Sequence, residues 1–69
     1  MEQARKNAIA QAVIHQFEND LEAATMMARV NKACGDEQGH EANKKTAVML
    51  EKKIAELKKE IVEEAKEGE

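Results

Sequence analysis

The sequence predicts an all-α fold: a two-helix antiparallel hairpin that dimerises into a four-helix bundle. Three observations lead there. Ala47, Leu50, Ile54, Leu57 and Ile61 recur at alternating steps of three and four, the spacing of a helix that packs along one face against another helix. Helix-forming residues (Ala, Glu, Lys, Leu, Met, Gln) dominate, and neither proline nor serine occurs. The one conspicuous break, Gly35-Asp36, divides the chain near its middle.

Helix 1 is expected over about residues 2–34. Its stripe is Ala10, Ile14, Phe17, Leu21, Ala24 and Ala28, again in steps of four and three. Ile9, Val13 and Met27 widen the stripe on one flank. Ala4, Ala8, Ala12, Met26, Val30 and Ala33 lie on the far side, so the segment AATMMARV is apolar almost all round. A helix of that kind is normally covered on more than one side.

The turn is expected over about residues 35–39. Gly35 suits the left-handed residue that ends a helix. Asp36 suits an N-cap, with Glu37 and Glu41 where the dipole favours negative charge. Gly39 should weaken that first turn by about 1 kcal/mol relative to alanine. A looser loop from Gly35 to Gly39, with helix 2 starting near His40, is the competing reading.

Helix 2 is expected over about residues 37–67. Lys45, Lys52, Lys59 and Lys66 repeat every seven residues among Glu41, Glu56 and Glu63, the salt-laced outer face of a packed helix. The closing EEAKEGE sets carboxylates where the dipole disfavours them, so that end should fray.

The two stripes match when the turn is short. Ile14 then meets Leu57, Phe17 meets Ile54, Leu21 meets Leu50, Ala24 meets Ala47 and Ala10 meets Ile61. Toward the turn Ala28 faces Asn43 and Asn31 faces His40, and at the open end Lys6 faces Glu64 or Ala65. Apolar meets apolar along the middle, and polar pairs close the ends. Two helices cannot enclose a side chain on all sides, and Val48, Ala55 and Val62 form a second line about 100° from Ala47, Ile54 and Ile61. A homodimer is therefore expected, with a core of Ile14, Phe17, Leu21, Leu50, Ile54, Leu57, Ile61, Val48 and Val62. A two-fold axis near Phe17 and Ile54 would set the thin Ala24/Ala47 layer of one hairpin against the Ala10/Ile61 layer of the other.

The chain has 69 residues, a formal charge of −3, one cysteine and one aromatic residue. One small domain fills that length, and Cys34 has no second cysteine to pair with inside the chain. A lone thiol suits a reducing setting. No stretch approaches the roughly 18 apolar residues of a membrane span. The chain opens on a methionine without the basic-then-apolar layout of a signal peptide, so a soluble, cytoplasmic protein is the expectation.

Function is less legible. Cys34, Glu37 and His40 are the weak metal candidates, since thiolate, carboxylate and imidazole all suit zinc. Glu37 and His40 also have the Glu-x-x-His spacing of di-metal bundles, although helix 1 brings no carboxylate to that level. Three such donors arise readily by chance near a polar turn. The plainer reading of His40 is a solvated side chain or one bonded to Asn31. His15 has no nucleophile or acid placed to work with it, Cys34 reads as a small residue ending its helix, and no cofactor motif is present. Asp20, near the edge of the stripe, is expected either to pair with Lys53 or Lys58 or to stay at the rim as a solvated charge.

Met26, Val30 and Ala33, with Met49 of helix 2, make an apolar patch that would take a partner protein or complete the assembly. The expectation is a non-enzymatic, homo-oligomeric interaction or scaffold module. A nucleic-acid adaptor is an alternative by analogy of fold with plasmid-encoded hairpin dimers that bind RNA loops. Interleaved glutamates and the lack of exposed aromatic residues stand against it. A metal-binding bundle is a further alternative.

Overall fold

The computed structural model describes residues 2–61. Two helices, α1 (Glu2–Ala33) and α2 (Glu37–Glu60), pack against each other along their length as an antiparallel hairpin. The molecule is a rod of 54 × 14 × 14 Å. Its radius of gyration of 16.2 Å compares with about 11 Å for a compact domain of this length, so most side chains lie within reach of the surface.

The turn is the short one. Gly35 has φ +79°, a conformation in which a Cβ would crowd the following carbonyl. The Asp36 N–H donates to the Asn31 carbonyl at 2.8 Å and the Gly35 N–H to the Lys32 carbonyl at 3.1 Å. This double bond pattern, the Schellman motif, satisfies two of the carbonyls that α1 would otherwise leave without partners. Asp36 then starts α2: its carboxylate accepts from the Gly39 N–H at 2.9 Å, and its own carbonyl accepts the first helical bond, from His40, at 3.0 Å. One residue closes one helix, and the next opens the other.

Gly39 has a reason to be glycine that helix propensity does not reveal. A Cβ there would fall on the Asp36 carboxylate and within 2.8 Å of the Asn31 amide nitrogen. The α1 terminus and the α2 cap occupy the volume an alanine side chain needs. Asp36→Ala, which removes the cap and leaves the volume open, should cost about 1 kcal/mol. The check is a lower urea midpoint at fixed protein concentration with an unchanged denaturant slope.

The seam between the helices is continuous. On α1 it runs Gln3, Asn7, Ala10, Ile14, Phe17, Leu21, Ala24, Ala28 and Asn31, and on α2 His40, Asn43, Ala47, Leu50, Ile54, Leu57 and Ile61; each is buried or half-buried. Among the described residues the buried apolar ones are Ala10, Ile14, Ala24, Ala28, Leu50 and Ile54. Only Ile14, Leu50 and Ile54 among these are large, so the core is thin at both ends. Asn31 approaching Gly39 and Lys53 lying over Phe17 fall within a residue of the expected facing pairs.

The end of α2 differs from expectation. Ile61 is extended (φ −83°, ψ 122°) and caps the helix, its N–H donating to the Lys58 carbonyl at 3.3 Å. The carboxylates of Glu56 and Glu60 sit in the last turns, where the helix dipole opposes them. The rest of the expected helix, with Val62, Glu63 and Lys66, lies outside the described residues, as do Glu64 and Ala65, the expected partners of Lys6. Within the described residues the open end is closed by Gln3, whose amide donates to Asn7 at 2.8 Å and to the Glu60 carbonyl at 3.4 Å. That carbonyl is one of the four a helix leaves unpaired at its C-terminus.

Candidate interaction surface

The turn does not assemble a metal centre from Cys34, Glu37 and His40. The short connection places His40 on the seam, facing α1, where its Nδ1 donates to the Ala28 carbonyl at 2.9 Å. This replaces the expected bond to Asn31, whose carbonyl is taken by Asp36 and whose amide lies beside Gly39. Cys34 and Glu37 are exposed. Among the described residues no three His, Cys, Asp or Glu side chains gather around a possible metal position.

The hydroxyls are directed back onto their own helix, Thr25 to the Leu21 carbonyl at 2.9 Å and Thr46 to the Ala42 carbonyl at 3.1 Å. His15 contacts Glu18 at 3.3 Å on the open surface, a pair held within one helix. The outer α2 lysines are interleaved with acid: Lys44 lies 3.9 Å from Glu41 and Lys59 lies 3.1 Å from Glu56. Such exposed pairs contribute little to stability. They also break up any continuous basic strip on that face.

Asp20 stays at the rim. Among the described residues it has no ion pair, and the Lys53 ammonium sits instead over the Phe17 ring, 5.7 Å from its centre. A lysine can cover an aromatic face with its stem while its charge meets the ring electrons, worth about 0.5–1 kcal/mol at an exposed site.

What the surface does offer is apolar. Ile9, Met26, Met27, Val30, Val48 and Met49 are each between 52% and 64% exposed. The expected patch of Met26, Val30, Ala33 and Met49 separates. Met26 and Val30 share a hollow with Met27 and Asn31, and Ala33 is exposed beyond it. Met49 lines a different hollow with Val13, Phe17, Lys53 and Leu57. The cause is the helical turn: Met26 points nearly away from α2, while Met49 flanks the seam.

The expected dimer core separates too. Ile14, Leu50 and Ile54 are buried inside the single hairpin, and Phe17, Leu21, Leu57 and Ile61 are half-buried there. Val48 is exposed, and Val62 lies outside the described residues. Val13 and Met27 immediately precede seam residues, whereas Glu18 follows one, which places them on opposite flanks of the rod. Ala55, which shares its helical row with Val48, lines the Glu18 flank with Leu21, Glu51 and Lys58. The apolar second lines of α1 and α2 therefore face different ways. Ile9, Val13 and Met27, which widen the stripe in the sequence, stand at steps of four and fourteen residues compatible with a heptad and form a second row.

Among the described residues no helix is long and apolar enough to cross a membrane. Comparison with protein-family models, with curated proteins and with solved structures finds no match to the chain. Fold and surface define the class, a two-helix antiparallel hairpin with an apolar flank. Nothing narrower follows from likeness.

Proposed function

We propose that the chain is a small helical interaction module without catalytic activity, which completes its core as a homodimer, a four-helix bundle of two hairpins. One observation carries this reading: among the described residues the hairpin leaves six large apolar side chains more than half exposed and buries three large ones. A soluble monomer of this size would ordinarily cover more of what it has, and small scaffolds commonly make up the deficit by assembling. The exposed, lone Cys34 fits a reducing, cytoplasmic setting. The wet apolar residues left over after assembly, such as Met26, are what a protein partner would engage.

Sedimentation velocity on the full chain tests the reading. A species of twice the chain mass is expected at tens of micromolar, dissociating on dilution. A monomer throughout that range would remove it.

A further inference from the structure

We propose that the second copy packs on the Ile9–Val13–Met27 flank, α1 against α1 and antiparallel, with Gln16 and Asp20 paired across the two-fold axis. This rests on the homodimer reading and assigns its face and register.

The flank is built as a second seam. Lys6, Ile9, Val13, Gln16, Asp20, Ala23, Met27 and Val30 follow one another along α1 at alternating steps of three and four. That row lies about 90° around the helix from the row facing α2. A helix in a square four-helix bundle meets its second neighbour at that angle. The other flank of α1, with Gln11, His15, Glu18, Glu22, Thr25 and Lys32, is polar.

The row is complementary to its own reverse. With the axis level with Glu18, Ile9 of one copy faces Met27 of the other, Val13 faces Ala23, Gln16 faces Asp20 and Lys6 faces Val30, each pair occurring twice. Apolar side chains meet apolar ones on both sides of the axis. At its centre two glutamine amides meet two carboxylates as donor to acceptor. Sliding the copies by one heptad would set Asp20 against Ala23 and Gln16 against Met27, which leaves a carboxylate unpaired in an apolar contact. Within the hairpin neither Gln16 nor Asp20 has a bonding partner among the described residues, and both are exposed.

α2 contributes on the same side. Lys53 and Glu56 share the hollow containing Val13, Phe17 and Met49, and Lys53, over Phe17, lies close to the level of the axis. The same rotation sets the two Lys53 stems side by side near the axis, with Glu56 of each copy about one helical turn along the rod from the other copy's Lys53. The area also suffices: one flank of a rod 54 Å long and 14 Å wide presents roughly 750 Å², against the ~800 Å² per partner of a standard stable interface. Val48 lies on the other side of the seam and has no place in this contact.

The experiment is a charge-exchange series on the full chain, read by sedimentation velocity with helicity followed by circular dichroism. Ile9→Lys or Met27→Glu alone should weaken self-association by roughly a hundredfold, because each buries an unpaired charge twice per dimer. The double variant Ile9→Lys/Met27→Glu brings the two new charges face to face and should recover at least about tenfold of that loss. Val48→Lys should leave association within about threefold of the parent, as an exposed site outside the contact. Both targeted side chains are exposed in the hairpin, so helicity in the monomer is retained. A dimer indifferent to Ile9→Lys and Met27→Glu, one in which the double variant is as weak as the sum of the singles, or one broken by Val48→Lys overturns this face and leaves the homodimer standing. A parent chain that is monomeric overturns both.

Discussion

Ile54→Ala should lower stability by about 2–5 kcal/mol, the range for truncating a large buried aliphatic residue to alanine. Ile54 is 7% exposed, and among the described residues it is one of three large side chains buried in the hairpin. It sits in the middle layer of the seam with Phe17, Leu21, Leu50 and Leu57, each already packed there, so truncation leaves a cavity that the surrounding side chains fill only in part. A core this small supplies about 3–5 kcal/mol at most. The variant should therefore lose most of its helical dichroism at 25 °C, even at protein concentrations of about tens of micromolar. Val48→Ala, six residues earlier on the same helix and exposed, should shift the urea midpoint by no more than about 0.5 kcal/mol in equivalent stability. Equal effects from the two substitutions would mean that the seam is not the core.

Gly35→Val should cost roughly 2 kcal/mol, the second largest effect. Nothing lies within 4 Å of a Cβ built at Gly35, so the cost is conformational and not steric packing. A β-branched residue at φ +79° forces the side chain against its own backbone. The signature is an ordering: Asn, which tolerates the left-handed region, should be the mildest replacement, then Ala, then Val. Urea midpoints at one protein concentration test the order, and equal midpoints for Gly35 and its Val variant would contradict the turn described here.

The seam and the turn were readable because each depends on a local rule with a large penalty. A step of three or four keeps Ile14, Phe17 and Leu21 on one face whatever surrounds them, and Gly35 followed by Asp36 ends one helix and starts the next by backbone geometry alone. The less readable features depend on choices that differ by little energy. Lys53 had Asp20 and Phe17 within reach, and contacts at a wet rim differ by only about 1 kcal/mol. His40 had Asn31 as an expected partner, yet the turn occupies the Asn31 carbonyl and leaves that of Ala28 accessible to the ring. Gly39 looked like a weak helix residue because its constraint comes from Asn31 and Asp36 together. The grouping of Met49 with Met26 failed for a simpler reason. A stripe tells which residues share a helix face, but which side of the neighbouring helix they flank follows only once both helices are placed.

The short turn also bears on where the proposed assembly would stop. Ala28 and His40, both on the seam, are twelve residues apart, so in a single unbroken helix they would point about 120° from each other. A straightened chain would then carry two sticky stripes facing different directions, each demanding a different neighbour. Such heterologous contacts need not close, and copies added one after another would grow into a fibre. By folding the second stripe back onto the first, Gly35 and Asp36 satisfy both inside one molecule, so that the proposed dimer needs only the Ile9–Val13–Met27 flank to close. In the proposed dimer the sharp bend between the helices would thus limit the size of the assembly.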